Sequence, residues 1–458
     1  MLSFYNHKTS GQTRMPAANR RLAKVAVQCS AETFVVNRSL VLRINICGKN
    51  RRLRQAPNVS DKARMTLYRN KKTLYQLTMR QICLTLFLAA SLFSSCKGQD
   101  NRISEIPFTL DKRLLVFKGQ LNGIETNFAF DTGAAEGIAS SNEENSKGIE
   151  RTSSTQRISD GNGKIGYLQT GITKELSIGV FKFQNVRASI TNMQYLQCMN
   201  LYLLGADIIR QLNWEIDFKK LTLKVSKNSF ETTTSMQVIP VSYEFNTTRT
   251  KLKINSIHFK NVLIDFGYTG VMEIPAKKSN VKQYIDERKS KNLIETSIAS
   301  NFAVAGMSKP TIVEKTLLDS ININGNEFYN IPVEFKEITD FKIGLSFFSS
   351  TCDIVIINNN DKKFYLQLKK ENEFTSTFPI SVIMKDGKLK IITTSISDTS
   401  IANNFAIEEE IKAINGKSAI DFKSECDYLN WFYLTKWDKL HIRKLNGNEI
   451  DVRRSPNR

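Results

Sequence analysis

From about residue 105 the chain alternates short β-branched and aromatic runs with Asn, Gly, Lys and Asp. Apolar runs of this length, divided by turn formers, predict strands and hairpins rather than long helices. "ELSIGVFKFQNVRASI" and "SININGNEFYNIPVEF" each read as one hairpin. The helical pieces expected are short: "ADIIRQL" after Gly205, "LSFFSS" after Gly344, and "SECDYLNWFYL" near the C-terminal end.

The same pattern repeats. "NGIETNFAFDTG" (122–133) aligns with "NSIHFKNVLIDFG" (255–267), which sets Asp131 on Asp265. "LSIGVFKFQNV" aligns with "ININGNEFYNI", with Asn185 on Asn330. "LLGADII" aligns with "KIGLSFF", with Gly205 on Gly344, and Ile216 and Val355 follow those glycines at the same spacing. Four blocks in one order predict two copies of a β-rich lobe, at 105–235 and 236–372.

Composition changes this picture at one end only. The net charge of +21 is concentrated in residues 1–95, which hold 17 Lys and Arg against 2 Asp and Glu; the rest of the chain holds 48 against 42. The basic surplus lacks aromatic interleaving and periodicity, so no nucleic-acid partner is expected. The seven cysteines (29, 47, 83, 96, 198, 352, 426) form no CxxC pair, and the three histidines (7, 258, 441) stand apart. Neither a metal site nor a disulfide framework is expected, and no cofactor.

The front of the chain reads as an address. "MRQICLTLFLAASLFSSCKGQD" has a basic start at Met79, an apolar run from Ile82 to Phe93, and small residues before Cys96. That run is too short to span a bilayer and suits a secretory signal. It resembles the lipobox of bacterial lipoproteins, with Phe93 in place of the usual Leu. The resemblance implies lipidation at Cys96, a membrane anchor and export to the bacterial cell envelope. Ordinary signal cleavage and an organelle transit segment are the competing readings. Residues 1–78 then form a basic extension expected to be disordered or weakly packed, ahead of 79–96, with Met65 or Met79 as the initiator.

Each lobe carries a strand ending in Asp-x-Gly and, later, an apolar strand leading into a glycine. Apolar-apolar-Asp131-Thr132-Gly133-Ala134 followed by Gly205 resembles the retropepsin and pepsin group of aspartic proteases. The resemblance covers about 105–370 and implies a mostly β, bilobal, acid-protease-like double β-barrel. It also implies an aspartic-type endopeptidase acting on peptide or protein substrates as a monomer. Two carboxylates about 3 Å apart cannot both ionise readily and share a proton. A water between Asp131 and Asp265 would then attack the peptide bond without metal or covalent intermediate. By resemblance, the Thr132 hydroxyl braces the opposite loop, Gly133 and Gly267 let backbone approach the carboxylates, and Gly205 and Gly344 lie beside them. A hairpin flap is expected at 163–172, with Tyr167 as a substrate contact or a plain surface tyrosine, and with 301–310 as its counterpart.

Lobe two departs from that pattern. It reads Asp265-Phe266-Gly267-Tyr268, with no hydroxyl after Asp265 and a bulky ring where Ala or Ser is usual. Asp265 then serves in the dyad or is a turn residue of a decayed lobe. The alternatives are a weakened peptide-binding protein and a homodimeric protease using Asp131 twice. Beyond residue 376 the pattern changes to strands around an Asp386-Gly387 turn, then Glu410, Ile411, Ile414, Asn415 and Gly416, a helix and a final hairpin. Over 376–455 this resembles a PDZ domain, a small β+α module that captures extended peptides at a sheet edge; a domain packed on the protease body is the other reading.

Overall fold

The computed structural model describes residues 4–5, 101–142, 146–161, 163–304 and 306–454. The expectations for 1–78 and 79–96, including Cys96, fall outside these residues, apart from Phe4–Tyr5, which pairs with Ser159 and Asp160.

Lobe one is a closed six-stranded β-barrel. Its strands run Ile165–Ile178, Phe181–Thr191, Gly137–Ser140, Tyr202–Leu204, Ile124–Phe130 and Val116–Leu121 in order of pairing. The ring closes where Gln120 and Leu121 meet Ser177 and Leu176. Lobe two repeats that cycle with Thr311–Ile323, Asn326–Lys336, Met272–Pro275, Lys342–Gly344, Ile257–Asp265 and Thr247–Ile254, and its last joint is the pair Lys253 and Asn322. The matched Asn185 and Asn330 both take φ of 55°. Asparagine tolerates this left-handed conformation better than most residues, and each lies in the second strand of its hairpin, where the pairing register is the same on both sides of it.

A six-stranded antiparallel sheet joins the lobes. Its order is Ile103–Thr109, Thr222–Ser226, Asn213–Asp217, Cys352–Asn358, Lys363–Leu368, Gln237–Pro240. At its centre Ile216 pairs directly with Val355. These residues are equivalents in the repeat, so the pseudo-twofold axis passes between their strands. One apolar core runs through both lobes, with Trp214 fully buried against Phe117 and Phe130. Burying such aromatic surface supplies much of the folding free energy, about 25 cal/mol per Å² removed from water.

The C-terminal segment is a β+α domain with its own core around Ile391, Tyr428 and Leu440. Its sheet order is Ile380–Lys385, Lys388–Ser395, Glu410–Ile414, Lys439–Lys444, Glu449–Arg453. Asp386-Gly387 turns with φ of 53° and 70°, the left-handed pair a two-residue hairpin needs. The strand Lys388–Ser395 also pairs with lobe-two strand Glu295–Ala299. On the other side, helix Glu425–Leu434 meets the lobe-one helix Gln194–Cys198, where Gln194 donates to Glu425 and Cys198 is bonded to Cys426. This disulfide corrects the expectation of none. Its partners are 228 residues apart, so their spacing carries no signal, and only the docking of two helices brings them together.

Candidate active site

Each Asp loop is built the same way. The strand Ile124–Phe130 carries the chain into Asp131, and Ile257–Asp265 ends on the second carboxylate. Asp131 Oδ1 accepts the backbone N–H groups of Gly133 and Ala134, both at 2.9 Å. Asp265 Oδ1 accepts those of Gly267 at 3.0 Å and Tyr268 at 3.1 Å. Each carboxylate is thereby locked onto its own loop, turned toward the opposite lobe.

The two loops are in contact. A methyl group added at Gly133 would lie 2.5 Å from the Asp265 carboxyl carbon, and one at Gly267 would lie 2.3 Å from that of Asp131. Any side chain at either position would collide with the opposing carboxylate, which is why both loops need glycine there. Gly205 and Gly344 each precede a short helix. Ala206 donates to Ala134 O at 2.8 Å, and Leu345 donates to Tyr268 O at 2.9 Å, so each helix start pins its own Asp loop.

Both aspartates are fully buried. Burial first, then the charge of Asp265, pushes the Asp131 carboxyl well above the usual carboxylate range, against the pull of its two amide donors. A carboxyl group in this setting retains its proton at pH values where an exposed aspartate has lost it. Asp131 Oδ2 is buried and accepts no bond from the backbone, which leaves it to face the neighbouring acid.

Thr132 and its lobe-two counterpart differ. The Thr132 hydroxyl donates to Ile264 O at 2.7 Å and accepts from Phe266 N at 3.1 Å, clasping the opposite loop. Phe266 offers no such bond in return. Its ring is buried, stacked on Phe348 at 4.8 Å and edge-on to Phe130 at 5.5 Å. One clasp is a hydrogen-bond pair and the other is aromatic packing. Ala134 is buried with Ile138, Leu203 and Val304, whereas Tyr268 lies with its ring over Gly270 and Gly344.

The hairpin of lobe one runs from Glu150–Asp160 into Ile165–Ile178, so its turn, around 160–164, precedes most of the expected flap segment. The turn reaches lobe two, where Lys342 Nζ donates to Gly161 O at 3.0 Å. Tyr167 stands on the solvent side, 71% exposed. The counterpart hairpin of lobe two places Val304 against lobe one, with Thr191 Oγ1 donating to its carbonyl at 3.4 Å. A buried cluster of Glu273, Lys336 and Lys342 in lobe two was not anticipated. Its signal was Lys342 in "KIG", at the repeat position of Leu203 in "LLG". Among the described residues no group of three or more His, Cys, Asp and Glu is arranged to hold a metal ion.

Residues 117–211 match a family model described as "gag-polyprotein putative aspartyl protease". No curated protein matches the chain. Among solved structures, the aspartic proteinase of Irpex lacteus is similar at 11% identity and a TM-score of 0.35, over 59% of this chain and 98% of that one. The strand pairings and the family match together identify lobe one as a domain of the retropepsin and pepsin-like aspartic-protease fold.

Proposed function

We propose that the chain is an aspartic-type endopeptidase in which Asp131 and Asp265 act together on a water held between them. The single observation that carries this reading is the mutual approach of the two Asp-x-Gly loops, each glycine set against the other lobe's carboxylate. One buried acid retains a proton and polarises the scissile carbonyl, while the other, ionised, removes a proton from the attacking water. Thr132, Gly133, Ala134 and Gly267 hold the pair in place, with Gly205 and Gly344 behind them. Because Asp265 stands beside Asp131 in one chain, a second copy is not required.

The test is cleavage of an unfolded protein substrate across pH 3–8. Asp131→Asn and Asp265→Asn are each expected to reduce kcat/KM by about a thousand-fold or more. Cleavage that survives Asp265→Asn but not Asp131→Asn would point to a homodimer; cleavage that survives both would end the endopeptidase reading. Export, lipidation at Cys96 and a PDZ-like role for 376–455 belong to the same proposal. Fatty-acid labelling lost in Cys96→Ser would support the anchor.

A further inference from the structure

Lobe two buries charge where lobe one is apolar. Glu273 pairs across strands with Lys342 as Ile138 pairs with Leu203. In lobe one that pair joins the apolar cluster around Ala134 and Leu196. In lobe two Glu273 is fully buried, with Lys336 Nζ on Oε1 at 2.6 Å and Lys342 Nζ on Oε2 at 3.1 Å. Lys336 also meets Glu334 at 2.5 Å. A buried ion cluster of this kind is seldom more stable than apolar residues of similar volume. Lobe one shows that the apolar solution fits the same frame, so stability alone does not account for the charges.

Lys342 offers another account. Beyond Glu273, its ammonium donates to Gly161 O in the turn of the lobe-one hairpin and sits 5.7 Å from the Tyr268 ring. Tyr268 is the residue whose N–H holds Asp265 Oδ1. Lys342 pairs with Leu263 on the strand that ends at Asp265, and it is itself buried. In the same hairpin turn, a methyl at Gly163 would rest 3.4 Å from Thr339 Cγ2. One ammonium thus touches the hairpin turn of lobe one, the ring beside the Asp265 loop and a buried carboxylate that cannot follow it out.

We infer that Lys342, anchored by Glu273, is a positioning residue that seats the lobe-one hairpin on lobe two and so sets how firmly the cleft retains a peptide. The contact stands by itself; its consequence for peptides rests on the endopeptidase reading. On the endopeptidase reading, a peptide reaches the two aspartates by passing under the lobe-one hairpin, whose turn Lys342 holds on lobe two. The Gly161–Lys342 bond must then open on entry, and its re-formation holds the bound chain in place.

Hydrogen exchange in an Asp131→Asn background reads the contact without turnover. Lys342→Met is expected to speed exchange of the Gly163–Tyr167 amides about ten-fold or more while the strand Ile257–Asp265 stays protected. Lys342→Arg is expected to stay within about three-fold of the parent, because it keeps a cation and donors. In the protein with both aspartates, Lys342→Met should raise KM about five-fold or more with kcat within about two-fold, and Lys342→Arg should restore KM. Since Lys342→Met leaves Glu273 short of a partner, the double variant Glu273→Ile/Lys342→Leu copies the lobe-one residues and should show the same loosened turn. Parent-like exchange of the turn in either folded variant would overturn the inference, as would a loss of kcat at unchanged KM. A parent protein without peptidase activity would end the functional reading, and the exchange experiment would still decide what Lys342 does.

Discussion

Thr132 is the most economical place to perturb the junction of the lobes. Its hydroxyl satisfies two buried backbone groups of the opposite loop, Ile264 C=O and Phe266 N–H. Thr132→Val keeps the shape and removes the hydroxyl, which orphans both groups where no water reaches, since Thr132 and Phe266 are 1% and 0% exposed. An unpaired buried donor or acceptor costs about 1–3 kcal/mol, so the pair should cost about 2–6 kcal/mol. Thr132→Ser keeps the hydroxyl and loses one methyl, at about 1 kcal/mol. The difference between the two variants, about 1–5 kcal/mol, isolates the clasp. Trp214 is a built-in probe, buried within 4.9 Å of Phe130 at the end of the Asp131 strand. Its fluorescence during urea unfolding of the parent and both variants gives the comparison. Phe266 returns no hydroxyl bond, so once Thr132 loses its hydroxyl the remaining clasp is the packing of Phe266 on Phe348 and Phe130. Equal midpoints for Thr132→Val and Thr132→Ser would refute the argument, and would mean that Phe266, Phe348 and Phe130 hold the junction by packing alone.

Asp207 gives a pH prediction with a definite sign. Burial, then the charge of Glu136, pushes its carboxyl up to about 7 from an ordinary 3.8, and its Oδ1 is buried without a partner. The native state therefore binds more proton than the unfolded chain between those values, and stability falls as pH rises through them. Asp207→Asn should leave stability unchanged near pH 3 and raise it at pH 8 by about 1–3 kcal/mol, below the full linkage value because the side chain is only half-buried. A melting-temperature series across pH 3–8 checks this, and an equal effect at both ends would contradict it. For the docked C-terminal domain, Cys198→Ser/Cys426→Ser is expected to cost about 2–5 kcal/mol, since the bond closes a loop of 228 residues. Unfolding of the double variant followed by urea checks this, and parent-like stability would show that helix packing and the strand pairing suffice alone.

Much of the architecture is legible in the sequence alone. Local grammar sets strands and turns, so Asp386-Gly387 and the matched Asn185 and Asn330 are readable from residue type, because few other residues accept a left-handed backbone cheaply. Repetition sets the rest of the frame: two Asp-x-Gly loops and two glycines at matched spacing imply two lobes with one carboxylate each. Those are properties of neighbouring residues along the chain, which is where a sequence carries its physics. Tertiary structure decided what depends on distant partners. It alone pairs Ile216 with Val355 at the pseudo-axis, joins Cys198 to Cys426, and replaces the missing hydroxyl of lobe two by stacking Phe266 on Phe348. It also turns Tyr167 to solvent and brings Lys342 under the hairpin turn of lobe one. The physical reason is common to all of these. A side chain's energy inside a protein depends on which groups surround it after burial, and the groups that surround Phe266, Cys198 and Lys342 come from segments far away in the chain.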